Sequence, residues 1–455
     1  MMNDTTITTA DLLPLRKHAT SLFFDIGGHF QDPIAISQKL RLLQRHSTYL
    51  ATLDNVAFMI WPDGPISQVV QDLIETIVCC SNQGCSFVRL IFHEYDVSDR
   101  NHLAVVQAAC HHRLFRMLAV YSIVNDPVNE LTLNALKDAI ILNQDLKAIN
   151  LFLEVPGTSL DILGEGLRKT KSLETLSIGF GRQELNQHCP PPLGFLQGLK
   201  DNHTLQSLSL RSLPTEAWTK EMLQALLDNP TLETLSVTHS SWGISSVAAL
   251  GSLLASSHCR IAALTLSDPR VASRQVLLDN LGDILKKSNQ SIQSLGLRYF
   301  GLDDVAFSTL WTGLSALKQL VSLDVEDNEI TSLHLLLKSR KVARRLKRLN
   351  IDDNPILELE ASQKEMASGL FQFLKAHTQL QSLGHSFAKP QPKLQHLLDR
   401  NANGRILFCN HADDMVHSLS IWPRVLERTN NNLQEHPVRQ ASVVYDLIRG
   451  LSGSL

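Results

Sequence analysis

The sequence predicts an α/β solenoid: one parallel sheet lining a concave face, helices on the convex side, and about 12–14 copies of one small unit bent into a horseshoe. Three observations predict it. Leu320, Leu323, Val325, Asn328 and Ile330 are spaced L-x-x-L-x-L-x-x-N-x-L, and Leu346, Leu349, Ile351, Asn354 and Ile356 repeat that spacing 26 residues later. The first apolar position of the same template recurs at Leu53, Phe87, Phe115, Leu146, Leu173, Leu205, Leu232, Ile261, Ile292, Leu320, Leu346 and Leu380, at intervals of 26 to 34 residues. Between these strands the apolar period changes from two to that of a helix.

In chain order, residues 1–50 form an N-terminal cap with a first helix over Ile34–His46 and a faint repeat at Leu22 and Phe24. Residues 51–409 form the solenoid. Within it Thr215–Asn229 places Trp218, Met222, Leu223, Leu226 and Leu227 on one helical stripe, and 273–289, 304–318 and 362–377 read alike. Polar turns (DNHT, DNPT, SNQS, AHTQ) end many of these helices just before the next strand. A last faint repeat includes Ile406 and Phe408. Residues 410–455 form a helical C-terminal cap, with Asn410 as N-cap and Asp413 in the first turn. No single unit can bury its apolar face alone, so neighbours are required on both sides.

The template is the leucine-rich-repeat signature. Strand plus full helix in about 28 residues resembles the ribonuclease-inhibitor-like class of these repeats over about residues 50–390. The sequence departs from that class at the turn Asn, present at Asn328 and Asn354 but replaced by Glu154, Gly181, Leu213, Ser240, Pro269 or Phe300 elsewhere. Those turns must satisfy their backbone differently, and longer loops are expected, notably at 183–192.

Bulk properties narrow the function. With 44% apolar and 19% charged residues the 455-residue chain can bury a large core, and a formal charge of −3 gives no general attraction to nucleic acid or to an anionic membrane. No window is long and apolar enough to span a bilayer. The first residues lack the pattern of a secretory leader, so sequons at Asn3, Asn202 and Asn289 read as chance. Seven cysteines at irregular spacing do not form a disulfide framework. A cytoplasmic monomer is expected, with a nuclear location left open.

No catalytic residue, cofactor or metal is expected. Cys79, Cys80, Cys85, Cys110, His111 and His112 precede consecutive strands, but their spacing fits no zinc finger. His93-Glu94 lacks the second His of a zincin helix, and no nucleophile elbow, P-loop or dinucleotide fingerprint occurs. The run from Lys338 to Arg348 has seven basic residues in eleven, yet acids flank it on both sides, and a solvated, partly paired face is expected.

Alternation along a strand turns the third, fifth and seventh template positions onto the concave face. From Leu173 onward, 13 of the 16 third and fifth positions are Ser, Thr, Ala or Gly, a low floor that a partner can approach closely. Toward the N-terminus the same face carries Met59, Ile91, His93, Met117, Tyr121 and Phe152, the residue types that interface cores favour, unless an N-terminal arm covers them. Arg211, Arg298, Glu326 and Asp352 occupy later seventh positions as a charged rim. The expectation is therefore a non-catalytic protein–protein interaction module or adaptor that grips a protein partner on this face, with neither nucleic acid nor membrane as ligand. The resemblance leaves two other readings open. One is a regulator of an enzyme, such as a Ran-type GTPase activator, for which the chain offers no matching loop residue or acidic tail. The other is a secreted, host-directed bacterial effector on the same scaffold.

Overall fold

The structure, a computed structural model, describes residues 21–26, 32–45, 55–60, 66–82, 88–92, 104–107, 115–121, 130–153, 160–180, 190–269, 271–288, 291–331, 345–355, 379–384 and 398–402. The C-terminal cap, the helix expected over 362–377 and most of the loop 183–192 lie outside them. No helix among the described residues is long and apolar enough to cross a membrane. The described residues form an α/β leucine-rich-repeat solenoid in two compact units.

The first unit, up to Ser241 with His258–Arg260, holds eight parallel strands in chain order. These are β1 (Ser21–Ile26), β2 (Asn55–Ile60), β3 (Val88–Phe92), β4 (Phe115–Tyr121), β5 (Ala148–Leu153), β6 (Thr175–Phe180), β7 (Ser207–Arg211) and β8 (Thr234–Thr238). Between them run α1 (Pro33–Arg45), α2 (Ile66–Asn82), α3 (Glu130–Leu142), α4 (Asp161–Lys169), α5 (Leu193–Lys200) and α6 (Glu216–Ala225). The second unit holds α7 (Ile244–Ala255), β9 (Ala263–Ser267), α8 (Val271–Lys287), β10 (Ser294–Gly296), α9 (Asp304–Leu314), β11 (Ser322–Asp324), β12 (Arg348–Asn350) and β13 (Ser382–Leu383). Parallel pairing with a helix between successive strands is what the alternating periods demand.

Burial follows the template. In β7 and β8, Leu208, Leu210, Leu235 and Val237 are buried while Ser207, Ser209, Thr234 and Ser236 stay half-exposed. Each fully buried Leu contributes about 1.5–3 kcal/mol relative to exposure. Helix stripes complete the core, and Trp218 of α6 meets Phe180 of β6 edge-to-face at 5.3 Å. Helices α4 and α5 approach so closely that a Cβ on Gly198 would overlap the Gly164 carbonyl. Only glycine fits there.

Two sets of corner side chains hold several of the turns. Where a helix meets the next strand, Asn202 donates to Leu167 O (2.7 Å) and accepts from the amides of Thr204 and Leu205, and Asn229 repeats this with Leu199 O, Thr231 and Leu232. Asn202 is 1% exposed, so its sequon is not accessible in the fold. Where a strand ends, the eighth template residue takes a left-handed backbone in six repeats: Ser212, His239, Asp268, Tyr299, Asp327 and Asp353, with φ from 46° to 58°. Where the next residue is Ser240, Asn328 or Asn354, its side chain closes the turn. Asn328 Nδ2 donates to Leu297 O, Val325 O and Glu326 O, while its Oδ1 accepts from the amides of Phe300 and Leu302 in the preceding repeat. Ser240 does a smaller version, accepting from Leu213 N and donating to Thr238 O. Apolar Leu213 and Phe300 are thus tolerated as turn residues because the following repeat satisfies their amides.

The repeat at Leu53 departs from expectation. Met59 pairs with Ile91, the fifth position of its repeat, and Ala57 pairs with Arg89, the third. The template therefore sits two residues later in β2 than its apolar spacing suggests. A two-residue slip preserves the face, so Met59 moves along the strand without changing sides.

Candidate functional site

The face of the first unit opposite its helices is built from three rows of cross-strand neighbours. The third-position row runs Ala57, Arg89, Met117, Ala148, Thr175, Ser207, Thr234. The fifth runs Met59, Ile91, Ala119, Asn150, Ser177, Ser209, Ser236. The seventh runs Tyr121, Phe152, Gly179, Arg211, Thr238. The register thus makes Met59 and Ile91 neighbours, makes Tyr121 and Phe152 neighbours, and puts Arg211 two strands from Phe152. Met117 lies two positions before Ala119 and four before Tyr121 on β4. His93 lies outside the described residues, and for Met59, Ile91 and Tyr121 the description extends to backbone register.

Met117 and Phe152 are half-exposed and Arg211 is exposed. The Phe152 ring lies across Gly179, where a Cβ would overlap its Cδ2 and Cε2 atoms. From the strand beyond, the Arg211 guanidinium sits 5.7 Å from the centre of that ring, within the range of a cation–π contact. Gly179 was not singled out by the sequence reasoning, though aligning the seventh positions of three successive repeats, Phe152, Gly179 and Arg211, displays the arrangement. Among the described residues no carboxylate pairs with Arg211.

Farther along the first unit's strands, at their N-terminal ends, a cavity of about 350 Å³ is lined by Lys171, Glu174, His203, Gln206, Glu233 and Arg260 among others. Its charges have both signs, and Glu174 is paired with Lys147 at 2.6 Å.

The rim residues of the second unit behave differently. Arg298 donates to Asp324 through Nε (2.6 Å) and Nη2 (2.5 Å) and reaches Glu326 at 3.2 Å. The hydrogen bond to Asp324 raises the Arg298 pKa above its ordinary value, against the lowering effect of burial. Glu326 also accepts from Asn350 Nδ2 at 2.8 Å. Asp352 is a correction: it is 5% exposed instead of lying on the rim, and Gly384 of the next repeat, with φ of 56°, sits so close that a Cβ there would overlap its carboxylate. Of the basic run, Arg345, Lys347 and Arg348 lie within the described residues, and Arg345 and Arg348 donate to Ser315 O and Ser322 Oγ.

Among the described residues, Glu326, Asp327 and Asp353 form a group whose carboxylate oxygens lie within 4.8 Å of one another. Arg298 and Asn350 already engage Glu326. A hydrogen bond to Asp327 raises the Tyr299 phenol above its usual pKa. Glu326 and Asp327 thus already engage protein groups.

No family model matches the sequence, and no curated protein matches it. Among solved structures the chain is similar to internalin C2 of Listeria monocytogenes, at 14% identity and a TM-score of 0.24, over 55% of this chain and 75% of that one. The repeat architecture rests on the register and burial above and not on this likeness.

Proposed function

We propose that the chain is a non-catalytic protein-interaction module whose partner docks on the face of the first unit opposite its described helices. One observation carries the reading: an apolar to small-polar progression along that face, from Met117 and Phe152 to a floor of Ser177, Ser209, Thr234 and Ser236, with the exposed Arg211 within it. Large apolar groups beside a low floor suit an anchored polypeptide, with the anchors giving most of the affinity and the polar groups setting the register. The extended backbone of such a floor offers nothing that concentrates reactive groups. Tyr121 and Phe152 are the proposed anchors, and replacing either by Ala weakens a bound partner by more than about 1 kcal/mol.

Site-specific photo-crosslinking tests the placement. A photo-reactive residue replacing Ser209 in the middle of the face is compared with one replacing Gln224, exposed on α6. In cells that produce the chain, polypeptide adducts are expected from position 209 and not from 224. Adducts from 224 alone, or equally from both, reject the placement.

A further inference from the structure

We infer that Arg211 and Phe152 form a receptor for a carboxylate: the partner is a polypeptide segment that presents an Asp or Glu side chain immediately beside an apolar one. This rests on the proposed docking face and specifies the chemistry it recognises.

Arg298 holds the same template position as Arg211 and is occupied by two carboxylates of its own chain. Arg211 is exposed, and among the described residues its partner is an aromatic ring. From β3 to β8, the three rows carry two residues charged at neutral pH, Arg89 and Arg211, and no acid. These rows are therefore complementary to negative charge and carry none among the described residues. Geometry then narrows the ligand. A guanidinium is a planar fork of five donors that matches the two oxygens of a carboxylate, and contact with a ring leaves donors of that fork free.

An arginine–carboxylate pair in open water contributes little. Here the Phe152 ring, seated in the space that Gly179 leaves, removes water from one side of the cation. An apolar partner side chain laid on Phe152 and toward Met117 excludes more, strengthening the pair in a lower local dielectric. That requirement couples the acid to an apolar neighbour. Ser177, Ser209 and Thr238 border the pair and let a backbone come close. Nucleic acid fits less well, because phosphate backbones are held by several cations in series.

Selection of a phage-displayed random-peptide library against the full chain provides the probe. Enriched sequences are expected to carry Asp or Glu next to an aromatic or aliphatic residue. A selected peptide, measured by fluorescence anisotropy, should bind Arg211→Gln at least about tenfold more weakly, and Arg211→Lys only partly better than that. Changing the peptide's acid to its amide should cost as much in the wild-type chain and almost nothing in Arg211→Gln. Phe152→Leu keeps the packing over Gly179 while losing the ring, and should weaken binding at unchanged melting temperature. If selected peptides are excluded by Ser209→Trp yet bind Arg211→Gln normally, the carboxylate receptor is wrong and the docking face stands. Peptides indifferent to Ser209→Trp, or a library yielding no binder, overturn both. Self-association in sedimentation velocity that Arg211→Gln abolishes would assign the pair to a second copy of this chain and overturn the inference.

Discussion

Arg211 and Arg298 occupy the same template position in two different repeats and do opposite things. The residues that follow each of them one strand on decide which. Beyond Arg298 the fifth and seventh positions are Asp324 and Glu326, and both engage it. Beyond Arg211 they are Ser236 and Thr238, too short and uncharged to pair, so the guanidinium turns back toward Phe152. A parallel contrast separates strand-end turns of the two units. In the second, Asn328 and Asn354 each bond several backbone groups of two repeats. In the first, Ser240 makes two such bonds, and Arg211 on the neighbouring strand contacts a ring. In a solenoid each repeat touches only its neighbours, so one repeat's composition can convert a binding group into a structural one.

The largest expected effect tests these turns. Asn328 is buried and its amide makes five bonds to backbone groups in two repeats, so Asn328→Ala strands several of them and should destabilise the second unit by about 3–5 kcal/mol. Ser240 holds one amide and one carbonyl in the first unit, and Ser240→Ala should cost about 1–2 kcal/mol. Urea titrations with hydrogen exchange on the flanking amides check both. Equal costs would mean that the two kinds of turn are equivalent and would dissolve the contrast.

Much of this architecture is legible in the sequence, because strand periodicity and helical stripes alternate so regularly that side chains fall on the right layers without further knowledge. Asn328 and Asn354 were recognisable as turn residues for the same reason. The slip at β2 was not legible: the alternating run Val56, Phe58, Ile60 fits the template in two registers two residues apart, and only pairing with β3 decides between them. The burial of Asp352, with Gly384 close against its carboxylate, is not encoded in local spacing. The corner asparagines Asn202 and Asn229 were visible as polar turns but not as cross-repeat ladders, since their partners lie about one repeat away. For the candidate site, listing single residues hid what laying the repeats side by side shows, namely that Phe152, Gly179 and Arg211 form one row.

A second, smaller effect concerns how tightly the helices of each unit pack. In the first, Gly198 on α5 faces the backbone of Gly164 with no room for a methyl group, so Gly198→Ala must push α4 and α5 apart and should destabilise by about 1–3 kcal/mol. In the second, α7 and α8 border a groove of about 430 Å³ lined by Ile244, Val247, Gly251, Asn280, Ile284 and Lys287 among others. A methyl group on Gly251 would meet Ile284 at 3.5 Å, an ordinary contact, and Gly251→Ala should stabilise that helix by about 0.5–1 kcal/mol. Opposite signs in thermal melts are the expected result. Two destabilising substitutions would show that α7 and α8 lack the room described.

The smallest effect returns to the two arginines and is the most direct comparison of them. Arg298 is itself nearly half exposed and its carboxylates are about one-quarter exposed, so solvent screens the network, and Arg298→Gln should cost no more than about 1 kcal/mol. That loss should be largest at low ionic strength and decrease as salt approaches about 1 M. Among the described residues Arg211→Gln removes no ion pair, only a ring contact on an exposed face, and its small effect should be the same at both salt concentrations. The discriminating quantity is therefore the salt dependence of each stability difference and not its size. A salt-dependent loss for Arg211→Gln would mean that a carboxylate of the chain already holds that guanidinium in solution. The face would then be internally compensated like that of the second unit, leaving no acid-binding capacity for a partner.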